Sequence, residues 1–475
     1  MFEFNPYITN DGSVGLYNKA FKDIYHSASG AFTESIEKFI LPVNFAGFAD
    51  YNNLNILDIC YGIGYNTKAL LSFIFDTDNI LEFLHVKNSN AQIYTNKQCN
   101  NTNLLYSYNS AIYDNNSNYS LTRELSPCNN AIYSNNKIAF KSLNNSNNNV
   151  MDDANGSTIL NTHTRIYDIL ANKNIHITAI DIDKTLVGLS PFIKTGCNNL
   201  ENQVTNFDYK IVEKYINPSA DVYKPVVSPQ INLFLLSKLF SEFPELYTDE
   251  VFKSIVFNEK YLPFFDAKIL AVFQEILKVS DSYKPILANY SNLHNIYYQH
   301  VSNNYKMGCK PFDYSNLTFE FKFDDARKIV QQDDKIYDLI FLDAFSPTKC
   351  PCLWSVDFFK LLYDHLSKNG VLLTYSSSAS VRNALLNAGY HIGKIYSPIQ
   401  NKFTGTLAVK NPDYIVYKLN DYELGLLNTT AGIFYRDESL IAENAEIINK
   451  YSEERKNSAL QSSSKYNKLF KNRIL

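Results

Sequence analysis

Residues 54–75 read LNILDICYGIGYNTKALLSFIF. LNILDIC at 54–60 is an apolar run of strand length, and NTKALLSFIF carries its apolar residues at helical spacing. Between them Gly62 and Gly64 permit a tight turn and a close backbone approach, while Asn66 opens the helix. Strand, glycine turn and helix in that order open the nucleoside-binding unit of a doubly wound parallel sheet.

Working outward, the same alternation continues. IHITAID at 175–181, LTFEFKF at 317–323, YDLIFLD at 337–343 and GVLLTYS at 370–376 are further buried-strand candidates, and IGKIYS and GTLAVK predict a closing pair. VDFFKLLYDHL reads as an amphipathic helix, and SVRNALLNAGY as a helix ended by Gly389. The reading is α/β, with five parallel strands followed by a hairpin-like return. Four acids fall at successive strand ends: Asp58, Asp181, Asp325 and Asp343. Ligands of such sheets bind beyond the carboxyl ends of the strands, so the acids are candidates for one site. Asp181 is placed to accept from both ribose hydroxyls of a nucleoside and Asp325 from an adenine amino group. A helix cap is the competing role for each.

The rest of the chain is uneven. Residues 88–149 contain 19 Asn and only six charged residues, without helical or strand period, and read as an inserted polar segment. A mostly helical stretch follows from 184 to 310. The expected organisation is a lid segment over 1–53, a catalytic domain over 54–437 interrupted by these two insertions, and a basic tail over 438–475. From Lys450 to Leu475 the tail has seven Lys or Arg against two Glu, an excess that suits phosphates but is more commonly just solvated.

Over the whole chain 44 basic and 48 acidic residues leave a formal charge of −4, so no global field advertises a nucleic acid. Seven cysteines in 475 residues make no disulfide framework, and the C-P-C of Cys350 and Cys352 lacks the further ligands of a metal site. No apolar run is long enough for a membrane span, and MFEFNPYITNDG has no secretory pattern, so a cytoplasmic location is expected.

Six segments together bring a family into view: YHSASGAFTESIEKF at 25–39, DICYGIGYN at 58–66, FDDARK at 323–328, LDAFSPTKCPCLW at 342–354, TYSSSASVRNALLNAGY at 374–390 and AGIFYRD at 431–437. The chain resembles the methyltransferase domain of the bacterial bifunctional enzyme that completes 5-methylaminomethyl-2-thiouridine at the tRNA wobble position. The string LDAFSPxKxPxLW is its most specific mark. The resemblance implies a class I, Rossmann-like S-adenosylmethionine-dependent fold with large insertions, the methyl-transfer half only, and tRNA as partner. It implies a cofactor site of Asp58, Gly62, Gly64, Asn66, Asp181 and Asp325, with Asp343 facing the reacting amine. It further implies that Pro347, Lys349 and Trp354 shape the tRNA-facing loop, Trp354 stacking on a splayed base, and that Tyr25, His26, Ser27 and Glu34 form a lid. The turn departs from the family's usual GFGTG, since Tyr61 and Ile63 flank its glycines.

Methyl transfer to an amine needs little acid or base strength beyond a neutral nitrogen, and a carboxylate such as Asp343 can orient it and accept its proton. Three other readings share these residues. ITAIDIDKTLV at 177–187 matches the D-x-D-x-T of haloacid-dehalogenase-like phosphatases, with Asp181 as nucleophile and Asp183 as general acid. An aminopropyltransferase of the spermidine-synthase type shares the sheet and a strand-end Asp. A non-catalytic binding protein on the same fold is the third.

Overall fold

The computed structural model describes residues 5–19, 22–26, 30–76, 170, 173–195, 227–301, 310–397 and 400–474. Ser27 and the Asn-rich segment 88–149 lie outside them. Three short strands, β1 (Pro6–Ile8), β2 (Val14–Asn18) and β3 (Asp23–Ile24), form an antiparallel N-terminal sheet. The main sheet follows: β4 (Asn53–Ile59), β5 (Asn174–Asp181), β6 (Leu317–Phe323), β7 (Tyr337–Leu342), β8 (Leu366–Thr374), β9 (His391–Ser397) and β10 (Lys402–Val409). Its order is β6-β5-β4-β7-β8-β10-β9; β10 runs antiparallel to both β8 and β9, and the other pairs are parallel. Five parallel strands and a return pair is the arrangement expected from the sequence. The order reverses between β4 and β7, which is the switch point where such sheets open a crevice.

Side chains alternate across the pleat and sort the core into two layers. Leu54, Ile56, Ile177, Leu339 and Phe341 belong to one apolar cluster with helix Tyr65–Phe75, the segment Ala31–Ile40 and helix Pro229–Glu242. Leu57, Ile59, Ile180, Ile340 and Leu342 belong to the other, with helices Ala326–Gln331, Val356–Asp364 and Ala379–Asn387. These strands are apolar on both faces because helices cover both.

The stretch read as a helical insertion is continuous with the first cluster. Leu235, Leu236, Leu239 and Phe240 are buried together with Phe273 and Tyr247, and Phe234 packs on Phe319 of β6 with ring centroids 6.4 Å apart. In the described part of the tail the basic side chains Lys450, Arg455, Lys456, Lys465 and Lys468 are exposed, as expected of a solvated tail, but the backbone is helical and docked. Ile447 is fully buried, Tyr451 packs on Tyr435 at 4.3 Å, and Tyr466 stacks on Tyr422 at 5.8 Å. Apolar and aromatic residues at helical spacing dock these two helices, and Lys450 pairs with Glu446. No helix among the described residues is long and apolar enough to cross a membrane.

Candidate functional site

The turn after β4 is shaped by its backbone. Cys60, Gly62 and Gly64 all have positive φ, at 63°, 57° and 79°. Gly64 starts helix Tyr65–Phe75 in the left-handed region, and a side chain there would collide with the Tyr61 hydroxyl as well. At Gly62 an added methyl would make ordinary contacts with the Tyr25 ring at 3.7 Å and Cys60 O at 3.8 Å, so the positive φ and not crowding is what favours glycine there. The turn is tied to the neighbouring strand by Tyr61 N–H donating to Ile180 O at 3.0 Å.

Three of the four strand-end acids converge on this turn. Asp58 is fully buried; its Oδ2 accepts from Thr67 Oγ1 at 2.7 Å and its Oδ1 has no protein partner. Asp181 accepts from the Gly62 N–H at 2.7 Å and from the Asp183 N–H at 2.8 Å, binding the second strand end to the glycine turn. Asp343 follows β7 directly, its N–H donating to Ile59 O at 3.3 Å, and its Oδ2 accepts from Asn66 Nδ2 at 3.0 Å. In register, Ile59 pairs with Ile180 on one side and Leu342 on the other, so Asp181 and Asp343 stand one residue beyond it, flanking β4. Burial pushes all three carboxyls up: Asp58 to about 7, Asp181 to about 6 and Asp343 to about 7, the last raised further by Glu34 and held back by Asn66.

The fourth acid is arranged differently. Asp325 caps helix Ala326–Gln331 by accepting from Arg327 N–H at 2.9 Å, and both its oxygens accept from the Arg327 guanidinium. Arg327 in turn grips Asp437 at 2.6 Å. The expectation of a free adenine acceptor is therefore corrected: Asp325 is a cap locked in an ion pair, with only its remaining lone pairs open to a ligand. Asp183 is also a cap, accepting from Leu186 N–H at 2.9 Å, which gives the second Asp of the phosphatase-like motif a structural task.

Sequence reasoning missed Ile182. It follows Asp181 immediately and is 79% exposed, an apolar side chain presented beside the carboxylate expected to meet a nucleoside. Its signal was available in the apolar residue set between two acids at a strand end.

The N-terminal segment spans the mouth of this edge. Tyr25 packs edge-on against Phe345 at 4.9 Å, and Ser346 Oγ donates to Asp23 Oδ2 at 3.1 Å, so the segment touches both the glycine turn and the loop after Asp343. His26 is buried edge-on against Tyr65 at 5.0 Å, with Nε2 unpartnered; burial lowers its pKa to about 4, so it is neutral at physiological pH. Glu34 pairs with Lys38, whose ammonium lies 5.7 Å from the Tyr375 ring centre. Tyr375 itself donates to Ala344 O at 3.0 Å.

Beyond Asp343, Pro347 is half-buried and Lys349 exposed. Trp354 corrects its expectation. It is fully buried and its Nε1 donates to Phe345 O at 2.8 Å, so it cannot stack on a splayed base; it anchors the loop from beneath.

The residues fit a cofactor of the S-adenosylmethionine class. Buried oxygens without a protein partner are costly, and Asp58 Oδ1 and Asn66 Oδ1 are both of this kind beside the glycine turn. The carboxylates would hold cationic and hydroxyl groups, and Ile182 an apolar ring face.

Comparison with known proteins gives matches to parts of the chain. Residues 288–411 match a family described as S-adenosyl-L-methionine-dependent methyltransferase. An uncharacterized protein of Methanocaldococcus jannaschii is 36% identical over 144 residues, covering 30% of this chain and 40% of its own. The tRNA 5-methylaminomethyl-2-thiouridine biosynthesis bifunctional proteins MnmC of Ralstonia nicotianae and Campylobacter concisus are 34% and 30% identical over 83 and 118 residues. Those segments cover 18% and 25% of this chain but only 13% and 18% of the two relatives. The crystal structure of MnmC2 from Aquifex aeolicus aligns with a TM-score of 0.45 at 17% identity, over 96% of this chain and 87% of that one. Residues 288–411 thus match an S-adenosyl-L-methionine-dependent methyltransferase family, and shorter segments of the chain are similar to the MnmC proteins, of whose length they span less than a fifth.

Proposed function

We propose that the chain transfers a methyl group from S-adenosylmethionine to the aminomethyl nitrogen of a wobble uridine in tRNA, forming 5-methylaminomethyl-(2-thio)uridine. The observation that carries this reading is Asp343: a partly buried carboxylate at the switch point, held by Asn66 next to the glycine turn, on the loop whose string LDAFSPTKCPCLW is the most family-specific in the chain. Asp58, Gly62, Gly64, Asn66 and Asp181 would hold the cofactor, with Ile182 against its base and Asp325 at the margin. When bound, the cofactor supplies a methyl group activated by its sulfonium.

The chain's own contribution is positional. Asp343 accepts a hydrogen bond from the neutral substrate amine, aims the nitrogen lone pair, and takes up the proton released after nitrogen gains its fourth bond. A carboxyl whose pKa sits at about 7 is divided between its two forms at neutral pH, so it can change protonation state without a large penalty. Asn66 fixes the carboxylate's orientation. Tyr25, packed edge-on against Phe345, would narrow the entrance and limit water. Lys349 and the half-buried Pro347 offer the loop surface to tRNA.

The test is nucleoside mass spectrometry. Purified protein is incubated with labelled S-adenosylmethionine and tRNA bearing 5-aminomethyl-2-thiouridine, and the digest is examined for label. Label on that nucleoside is expected. Cofactor binding without transfer to tRNA, or transfer of an aminopropyl group from the decarboxylated cofactor to a polyamine, would replace this reading with a binding protein or an aminopropyltransferase.

A further inference from the structure

Cys350 and Cys352 stand at two positions that the family string LDAFSPxKxPxLW leaves variable, eight residues or so beyond Asp343. Their sulfurs lie 3.6 Å apart, both thiols are free, and Pro351 between them restricts the backbone. The pair is pinned on every side. Cys350 N–H donates to Ser346 O at 3.0 Å, Cys352 N–H to Asn444 Oδ1 at 3.3 Å, and Ser355 Oγ to Cys352 O at 3.1 Å. Cys352 is 8% exposed and Cys350 is half-buried, so a small oxidant has access and a bulky one does not. We propose that Cys350 and Cys352 form a peroxide-reactive thiol pair that closes to a disulfide in the loop following the reaction centre.

The roles of the two sulfurs differ. The 3.6 Å contact from Cys350 and the charge of Arg327 pull the Cys352 thiol downward against the opposing effect of burial, which favours Cys352 as the attacking sulfur. Its thiolate attacks one oxygen of a hydroperoxide, the O–O bond breaks, and Cys352 becomes a sulfenic acid while hydroxide, or alkoxide from an organic peroxide, leaves. Cys350 then attacks the Cys352 sulfur, the S–O bond breaks, and water departs with the Cys350 proton. With hydrogen peroxide the sum is two thiols and one peroxide to one disulfide and two waters. Closing the sulfurs from 3.6 Å to a bond of about 2.05 Å needs a movement of about 1.5 Å, which side-chain rotation can provide only if the pinned turn yields. That turn also carries Trp354, bonded to Phe345 O two residues from Asp343, so closure pulls on the loop beside the site. Any effect on turnover rests on the methyl-transfer reading; the disulfide itself does not.

The experiment uses the full chain, reduced, desalted and treated with equimolar hydrogen peroxide, then alkylated and mapped by peptide mass. The peptide holding Cys350 and Cys352 is expected to lose two hydrogens and both alkylation sites, and dithiothreitol to restore them. Cys350→Ser should instead accumulate a sulfenic acid on Cys352 that dimedone traps, and Cys352→Ser should leave Cys350 reduced. A peptide that stays reduced while other cysteines oxidise, or a Cys352→Ser protein in which Cys350 reacts as fast as before, would overturn the assignment. Where methylation is measurable, peroxide should slow the native chain reversibly and spare Cys350→Ser; equal slowing of both would remove the link to the loop while the mapping still judges the disulfide.

Discussion

Replacing Asp58 by Asn separates what this residue costs the fold from what it does for the site. The carboxylate is fully buried, with one oxygen bonded to Thr67 Oγ1 and the other without a protein partner. Burial, opposed by the Thr67 hydrogen bonds and reinforced by Asp181, raises its pKa from 3.8 to about 7. A folded pKa above the unfolded one means the native state binds the extra proton. The group therefore favours folding fully below about pH 4, and that contribution is lost as pH rises through about 7. Between pH 5 and 7 the loss runs over about two units, which at about 1.4 kcal/mol per unit is ~3 kcal/mol. An amide of the same shape keeps an acceptor for Thr67 and never ionises, and it also spares Asp181 a neighbouring charge.

The cofactor-free Asp58→Asn protein should thus gain on the native chain by ~3 kcal/mol between pH 5 and pH 8. In a large chain this is several degrees in Tm, at roughly 2 °C per kcal/mol. Thermal unfolding of both proteins at pH 5, 6, 7 and 8 gives the difference directly, and it should climb with pH and level off above about 7. If Asp58 holds the cofactor as proposed, the same variant should also lose most of the Tm increase that S-adenosylhomocysteine gives the native chain. A Tm difference that is flat or declines with pH would refute the idea that Asp58 is held as a desolvated carboxylate.

Further expectations rest on other parts of the site. Asp343→Ala should bind S-adenosylhomocysteine nearly as the native chain does, yet methylate tRNA on the order of 100-fold more slowly, with partial recovery at higher pH as more of the amine becomes neutral; nucleoside mass spectrometry measures the rate and calorimetry the binding. Asp181→Ala should abolish most of the ligand-induced rise in Tm, since it removes an acceptor and releases the Gly62 N–H from its 2.7 Å bond; a magnesium-dependent phosphatase activity lost in the same variant would favour the competing reading instead. Trp354→Phe should lower stability by about 1–2 kcal/mol in denaturant unfolding, through loss of the bond to Phe345 O, while leaving tRNA affinity unchanged in a filter-binding titration; a base-stacking Trp would show the reverse pattern.

Much of this molecule is legible as a string. Strands buried on both faces are written as continuous apolar runs such as ILDI and LIFL, and a left-handed turn needs residues such as Gly62 and Gly64, so the fold class follows from local rules, while the order of the strands in the sheet is set by the tertiary structure. The positions of Asp58, Asp181 and Asp343 follow too, because a parallel sheet brings all its carboxyl ends to one edge. What local rules cannot carry is the occupation of each side chain's lone pairs and faces. Asp325 reads like its three fellows, but Arg327 and Asp437, 110 residues apart in sequence, decide that it is an ion-paired cap. Trp354 reads as a loop aromatic, yet the packing of helices Val356–Asp364 and Asn444–Asn457 around its loop buries it. Lys68 sits at a helix start like any surface lysine and is instead fully buried, donating to Ser190 O at 2.6 Å, with its pKa lowered by burial to about 7. The closeness of the Cys350 and Cys352 sulfurs is likewise set by the bonds from Ser346, Asn444 and Ser355. Period and composition record where the backbone goes; desolvation and pairing depend on residues far apart in the chain, and only the folded structure brings those together.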